Sequence, residues 1–324
     1  MAGEWAPDIL GEGFEQRTLM LGEDDEGPIV ATLVRSIPNP LRSVLGPLHD
    51  VDVLSVHGWS DYFFQPAQAR FWNGLGARFH ALDLRKYGRS LRPGQTPGFI
   101  TDLGDYDADI AAALDAMGRR RGRRLVLLGH STGGLTLALW AARHPREVAA
   151  LVLNSPWLEL QLGAMGRQAL APLVQARARW DPRGSHPAVD LGFYTRAQRE
   201  VGVLPAEGYR DEWRPEFGFP THPAWFAAIL EGHRQVAFGI EVGCPALVLL
   251  SAHSALQLTW SDAMSSSDSV LVVDDIAKAA TRIGRAVTIA RIDGAIHDVF
   301  LSRGDARDAA YRALEGWLTR GALE

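Results

Sequence analysis

Gly129-His130-Ser131-Thr132-Gly133 stands between an apolar run, Leu125-Val126-Leu127-Leu128, and a helix-forming run, Leu135-Thr136-Leu137-Ala138-Leu139-Trp140. A serine in Gly-x-Ser-x-Gly between a strand and a helix sits on a sharp, strained turn that holds its hydroxyl above the sheet. Glycines 129 and 133 suit a place where the backbone crosses itself tightly and a Cβ would clash. The helix that follows turns its positive end toward the serine, where an oxyanion could be stabilised. The five residues alone recur as small-residue turns; the strand before and the helix after make Ser131 a candidate nucleophile.

A serine hydroxyl needs a base to take its proton and a third group to orient that base. His297 follows the last apolar run in Asp293-Gly294-Ala295-Ile296-His297-Asp298, and no other histidine comes after His253. It is the expected base. The acid is less determined: Asp262, Asp268, Asp274 and Asp275 all follow the apolar run 246–250. Asp274 and Asp275 open a helical pattern, so capping would explain them without catalysis. Asp268 lies before that helix, on the loop leading to it, and is the preferred acid. Two backbone donors must face the developing negative charge; the N–H groups of Thr132 and of Trp59, in His57-Gly58-Trp59-Ser60-Asp61-Tyr62, are the candidates. Gly58 permits close approach of backbone to ligand, while His57 and His130 are expected to shape the site rather than titrate in it. His186, His222 and His233 fall in a different stretch, without a zinc-binding spacing, so no metal is expected.

The elements that must carry these groups are short apolar runs at 51–56, 79–84, 125–128, 148–153, 246–250 and 287–292, alternating with helical patterns at 102–117, 135–144 and 306–320. Such alternation implies right-handed crossovers and a mostly parallel sheet covered on both faces. Residues 15–21 and 29–36 read as an antiparallel hairpin ahead of it, joined by an acidic turn, and 37–48, with three prolines, as a loop. From 157 to 238 no clear buried strand occurs and Pro, Gly, Trp and Arg are frequent, which predicts an inserted cap of helices and loops. A second irregularity is the polar stretch 254–269.

Apolar residues at 47%, charged residues at 22% and a net charge of −5 over 324 residues describe a globular chain with no footing for a nucleic-acid partner. The one basic run, Arg119-Arg120-Arg121-Gly122-Arg123-Arg124, reads as a solvated turn before a strand. One cysteine, Cys244, excludes an internal disulfide. The first residues do not form a signal peptide, and no run approaches the roughly 18 apolar residues of a membrane span; a cytoplasmic location is the expectation.

Four motifs together give a resemblance: His57-Gly58-Trp59, Asp83-Leu84-Arg85-Lys86-Tyr87-Gly88-Arg89-Ser90, Gly129-His130-Ser131-Thr132-Gly133-Gly134 and Gly294-Ala295-Ile296-His297-Asp298. The chain resembles the α/β-hydrolase superfamily, in its monoacylglycerol lipase- and lysophospholipase-like (serine aminopeptidase S33) branch. The order serine, acid, histidine agrees with that fold. The second motif departs from the usual Asp-x-Arg-Gly-x-Gly-x-Ser, with Lys86 in place of its first glycine. The stretch 254–267 displaces the acid motif Gly-x-x-Asp-x-Val, for which Asp268-Ser269-Val270 is the best match. The resemblance implies an eight-stranded, mostly parallel sheet with helices on both faces, formed by 1–156 and 239–324, and a cap at 157–238. It also implies a serine hydrolase that cleaves carboxylic esters without a cofactor. Trp157, Trp180 and Trp213 would line an apolar pocket beside His57, Gly58 and His130. The expected partner is a small ester, with a homodimer as the one assembly entertained. Amide hydrolysis, carbon–carbon bond hydrolysis and a receptor without turnover are the rival readings.

Overall fold

The computed structural model describes residues 3–119, 122–185 and 191–323. Strands β1 (Ala6–Pro7), β2 (Phe14–Asp24), β3 (Gly27–Ser36), β4 (Val51–Val56), β5 (Arg78–Asp83), β6 (Arg124–His130), β7 (Ala150–Asn154), β8 (Ala246–Ser251) and β9 (Val287–Ile292) form one sheet. Their order is β1-β2-β3-β5-β4-β6-β7-β8-β9, antiparallel from β1 to β5 and parallel from there to β9. The nine strands exceed the expected eight by Ala6–Pro7, a two-residue edge pairing too short to leave a periodic pattern. The stretch 37–48, expected as loop, contains the one-turn helix Arg42–Leu45.

Side chains alternate between two cores. Leu54, Val56, Leu127, Leu153, Val248 and Leu250 join Ile110, Leu135, Leu139, Ile229 and Ile276 from the helices Tyr106–Ala116, Thr132–Arg143, Pro223–Phe238 and Val273–Ala280. Val53, Val126, Leu128, Val152, Leu247 and Leu249 face the other way, onto Trp72 and Leu314 of the helices Pro66–Gly74 and Gly304–Trp317. Every residue of β4, β7 and β8 is buried, as a parallel sheet covered on both faces requires. The chain runs outward from β4 to β5 and then returns to β6 on β4's other side. The carboxyl ends of β4 and β6 therefore form the topological switch point, beside which ligands bind in such sheets.

Between β7 and β8 lie the helices Gly163–Trp180, Phe193–Glu200 and Pro223–Phe238, with no strand among the described residues. They differ in attachment. A Cβ on Gly232 would come within 2.7 Å of Leu103 Cδ1 and 3.2 Å of Leu135 Cδ2. Pro223–Phe238 thus packs on the helices covering the sheet as well as on Gly163–Trp180. Phe193–Glu200 instead meets the polar stretch after β8: the Phe193 and Trp260 rings lie 6.1 Å apart, and the Arg196 guanidinium stands 4.2 Å above Trp260. The two irregular stretches of the sequence thus touch in space. Among the described residues no helix is long and apolar enough to cross a membrane.

Arg123 and Arg124 fasten the amino end of the sheet, bonding Asp52 and Asp50 at 2.7 Å each; Arg120 and Arg121 of the same run, and His186, lie outside the described residues. Cys244 is half-buried, and burial pushes its thiol up to about 12.

Candidate active site

β6 ends at His130 and the next helix begins at Thr132, leaving Ser131 alone between them at φ 51°, ψ −117°. A non-glycine residue at positive φ is strained and persists only where its surroundings fix it. They do so here: the Ser131 N–H donates to the Asn154 carbonyl at 3.1 Å, and its own carbonyl accepts from Gly134 at 3.0 Å and Trp157 at 2.9 Å. The glycines are obligatory. A Cβ on Gly129 would lie 2.7 Å from the Gly133 carbonyl oxygen, and one on Gly133 would overlap the backbone carbonyl of His57. Thr132 occupies the first helical position, where a backbone N–H has no intrahelical acceptor.

After β9, a turn at Gly294 with φ 71° brings the chain back toward β7. His297 Nδ1 lies 2.9 Å from Asp268 Oδ2, with both residues buried. The other carboxylate oxygen, Oδ1, accepts from the N–H groups of Val270 and Leu271 at 2.8 Å each. Both oxygens are therefore held, and the imidazole must carry its proton on Nδ1 to bond the carboxylate. Its Nε2 is buried and without a partner among the described residues. The His297 ring stands 4.9 Å from that of His130, the residue preceding Ser131.

Asp268 reaches this place because the polar stretch closes on itself. Residues 254 and 268 form an isolated parallel bridge, with the Asp268 N–H on the His253 carbonyl at 2.9 Å and the Ala255 N–H on the Asp268 carbonyl at 2.7 Å. The other carboxylates are elsewhere. Asp262 is exposed, and Asp274 pairs with Arg291 at 2.6 Å on the surface. Nor do Asp274 and Asp275 cap their helix, as their position suggested. Both lie in its first turn, and the Val273 N–H is taken by the Ser254 hydroxyl at 2.8 Å.

The loop after β4 passes beside the serine with bare backbone: a Cβ on Gly58 would lie 3.1 Å from Ser131 Cβ and 3.2 Å from His130 Cδ2. The Trp59 ring turns away to pack on Trp225, 3.8 Å between centroids, and on Tyr87 at 5.8 Å. His57 Nε2 accepts from the Leu84 N–H at 3.1 Å, which leaves Nδ1 to donate to the Gly58 carbonyl at 2.8 Å. Its ring is therefore neutral, and burial holds its pKa below the ordinary histidine value, as it does for His130. Below this loop Asp83 accepts from the Phe63 N–H at 2.9 Å and from Arg89 Nη1 at 2.8 Å. Lys86, where the motif has glycine, takes the left-handed conformation at φ 61°. Its buried ammonium bonds Asp24 at 2.6 Å and Glu26 at 2.5 Å.

The expected tryptophans separate. Trp157 is tied to the Ser131 carbonyl, and its own carbonyl meets His233 Nε2 at 2.9 Å. Trp213 stands edge-on to Tyr62 at 5.3 Å and packs loop against loop. Trp180 is 90% exposed at the end of its helix and faces solvent. Among the described residues no ring contact joins either of these last two to His130 or His297. A cavity of about 600 Å³ lies among the helices Gly163–Trp180, Pro223–Phe238 and Val273–Ala280, floored by Leu158 and Leu230, and neither Ser131 nor His297 lines it.

Other polar groups around the histidine escaped the sequence reading. Tyr194 stands edge-on to the His297 ring at 5.2 Å. Arg214 Nε bonds Asp61 Oδ1 at 3.0 Å, both buried. Asp298 accepts from Asn154 Nδ2 at 2.6 Å and Gln65 Nε2 at 2.7 Å, anchoring the His297 turn to the end of β7. Asp298 stood inside a motif and Asn154 at a strand end, which were usable signals; a tyrosine and an arginine in an irregular stretch gave none. Among the described residues no cluster of three His, Cys, Asp or Glu side chains is placed to hold a metal ion.

A mostly parallel sheet with helices on both faces, and a serine on the tight turn between a central strand and its helix, define an α/β-hydrolase. The chain belongs to the family described as serine aminopeptidase, S33, whose model matches residues 49–303. Among named relatives it is 30% identical over 149 residues to Esterase PIR7B of Oryza sativa subsp. japonica, covering 41% of this chain and 52% of that protein. It is 29% identical over 167 residues to Lipase LipV of Mycobacterium tuberculosis, covering 50% and 58%. The chain thus spans about half the length of these relatives. Among solved structures, the monoacylglycerol lipase of Paleococcus ferrophilus superposes with a TM-score of 0.60 at 18% identity, over 84% of this chain and 95% of that one. A soluble variant of monoglyceride lipase from Saccharomyces cerevisiae gives 0.63 at 15%, over 98% and 99%. At these identities the two structures speak for the fold.

Proposed function

We propose that the chain is a serine hydrolase of carboxylic esters acting through an acyl-enzyme. The observation that carries this reading is the Asp268–His297 contact at 2.9 Å, beside the strained turn of Ser131 and with Nε2 left free for the hydroxyl proton. Ser131 Oγ attacks the ester carbonyl as His297 Nε2 takes its proton; Asp268 fixes the tautomer and stabilises the imidazolium. The N–H groups of Thr132 and Trp59 receive the oxyanion. The imidazolium then protonates the departing alcohol, and water, deprotonated by the same nitrogen, releases the acid. Substrates of the monoacylglycerol or lysophospholipid kind, or other small apolar esters, fit the likeness to esterases and lipases, with the residues between β7 and β8 as a cap over them. A pocket for a free amine, which an aminopeptidase needs, has less support. Glu159 is paired with Arg167 at 2.7 Å, Glu231 with Arg234 at 2.5 Å and Glu216 with Arg199 at 2.8 Å, so those carboxylates are already neutralised.

Two measurements test the reading: labelling by a fluorophosphonate probe, and turnover of p-nitrophenyl butyrate. Ser131→Ala should abolish labelling and cost on the order of 10⁴-fold or more in kcat. A variant keeping a tenth of wild-type turnover would sink the mechanism.

A further inference from the structure

Three buried polar groups near the histidine have hydrogen-bonding capacity that nothing among the described residues uses. Tyr194 Oη, Gln198 Nε2 and Arg214 Nη1 are each inaccessible and without a partner. They form one cluster: the Arg214 guanidinium lies 5.2 Å from the Tyr194 ring, and its Nη2 donates to Gln198 Oε1 at 2.8 Å. The Nε edge of Arg214 is occupied by Asp61 at 3.0 Å, which leaves the Nη1 donors of the fork over. Leaving buried donors unmade costs free energy, and folded chains rarely tolerate several in one place. The Tyr194 ring rests against the imidazole that must protonate the departing alcohol.

We propose that Tyr194, Gln198 and Arg214 form a subsite for a neutral oxygen acceptor, such as a second carbonyl, carried on the alcohol moiety of the substrate. The proposal rests on the ester-hydrolase reading above. Gln198 Nε2 and Arg214 Nη1 can only donate, and the Tyr194 hydroxyl can donate beside them, so the ligand must accept. Charge selects a neutral acceptor over a carboxylate: the cation of the cluster, Arg214, is already paired with Asp61 at 3.0 Å, and the neighbouring His297 already faces Asp268 at 2.9 Å. A further anion would meet net repulsion in a dry site.

The test separates binding from turnover. Three butyrate esters of similar length are titrated into Ser131→Ala protein by calorimetry: methyl butyryloxyacetate, with a neutral second carbonyl; butyryloxyacetate, with a carboxylate; and propyl butyrate, with neither. The neutral diester should bind about tenfold or more tighter than propyl butyrate, and tighter than the carboxylate. Tyr194→Phe, which removes one hydroxyl and keeps the ring, should lower the diester-to-propyl ratio several-fold. Equal affinity for the diester and propyl butyrate, preference for the carboxylate, or an unchanged ratio in Tyr194→Phe would each overturn the subsite. Wild-type release of butyrate from propyl butyrate is read separately. Its absence, together with no fluorophosphonate labelling, would remove the ester-hydrolase reading while the binding ratios still judge the subsite.

Discussion

A carboxylate on Nδ1 holds an imidazole in the one tautomer that can serve as base through Nε2. Asp268→Asn should therefore cost roughly 10⁴-fold in kcat, because the amide favours the wrong tautomer and cannot stabilise the cation. Asp274→Asn should keep nearly full activity, since that side chain pairs with Arg291 on the surface. Steady-state assays of the two purified variants decide it, and the reverse ranking would move the acid. Ser131 and His297 could be read from sequence because the features that place them are local: two glycines whose Cβ atoms the backbone forbids, and a turn directly after the last strand. Asp268 stood among four candidates because its position depends on a bridge to Ser254 across an irregular loop. Neither arm of that bridge carries an apolar alternation. The same loop explains the mistaken cap: Ser254, nineteen residues upstream of Val273, supplies the oxygen that Asp274 was expected to offer.

At the scale of elements, the parallel strands fell within two residues of their expected bounds, since strands buried on both faces are continuous apolar runs flanked by turns. Helices showed less of their allegiance. The pattern of Pro223–Phe238 does not say that its Gly232 sits against Leu103 and Leu135. That helix is fastened by His233, whose Nε2 meets the Trp157 carbonyl, and burial holds its pKa at about 4. An unfolded histidine titrates near 6.5. Between those values the unfolded chain binds the extra proton, so stability rises with pH across the window and is lost on acidification from about 6.5 toward 4. The contribution reaches about 1.4 kcal/mol per pH unit. Urea unfolding of wild type and His233→Gln between about pH 4.5 and 7 should give a shallower slope for the variant; parallel slopes would show that His233 carries no such linkage.

Over the whole molecule, the contacts hardest to foresee join segments distant in sequence that share no periodic pattern: Asp61 with Arg214, and Phe193 with Trp260. The second pair predicts an effect at a distance. Trp260→Ala removes the ring against which the Tyr194 helix rests while leaving the Asp268 bridge and its hydrogen bonds in place. It should lower the diester-to-propyl-butyrate ratio a few-fold and leave the rate of fluorophosphonate labelling at Ser131 near that of wild type. A parallel fall in both would mean that the loop supports the histidine as well. The Ser254–Asp268 bridge gives this separation its wider meaning. A loop that departs and returns at one paired position can change length or composition while the carboxylate at its exit stays where it is. Selection then has a segment it can rewrite while the position of that carboxylate is kept by the bridge. Relatives of this chain should differ most between 255 and 267, and those differences should track the esters they accept.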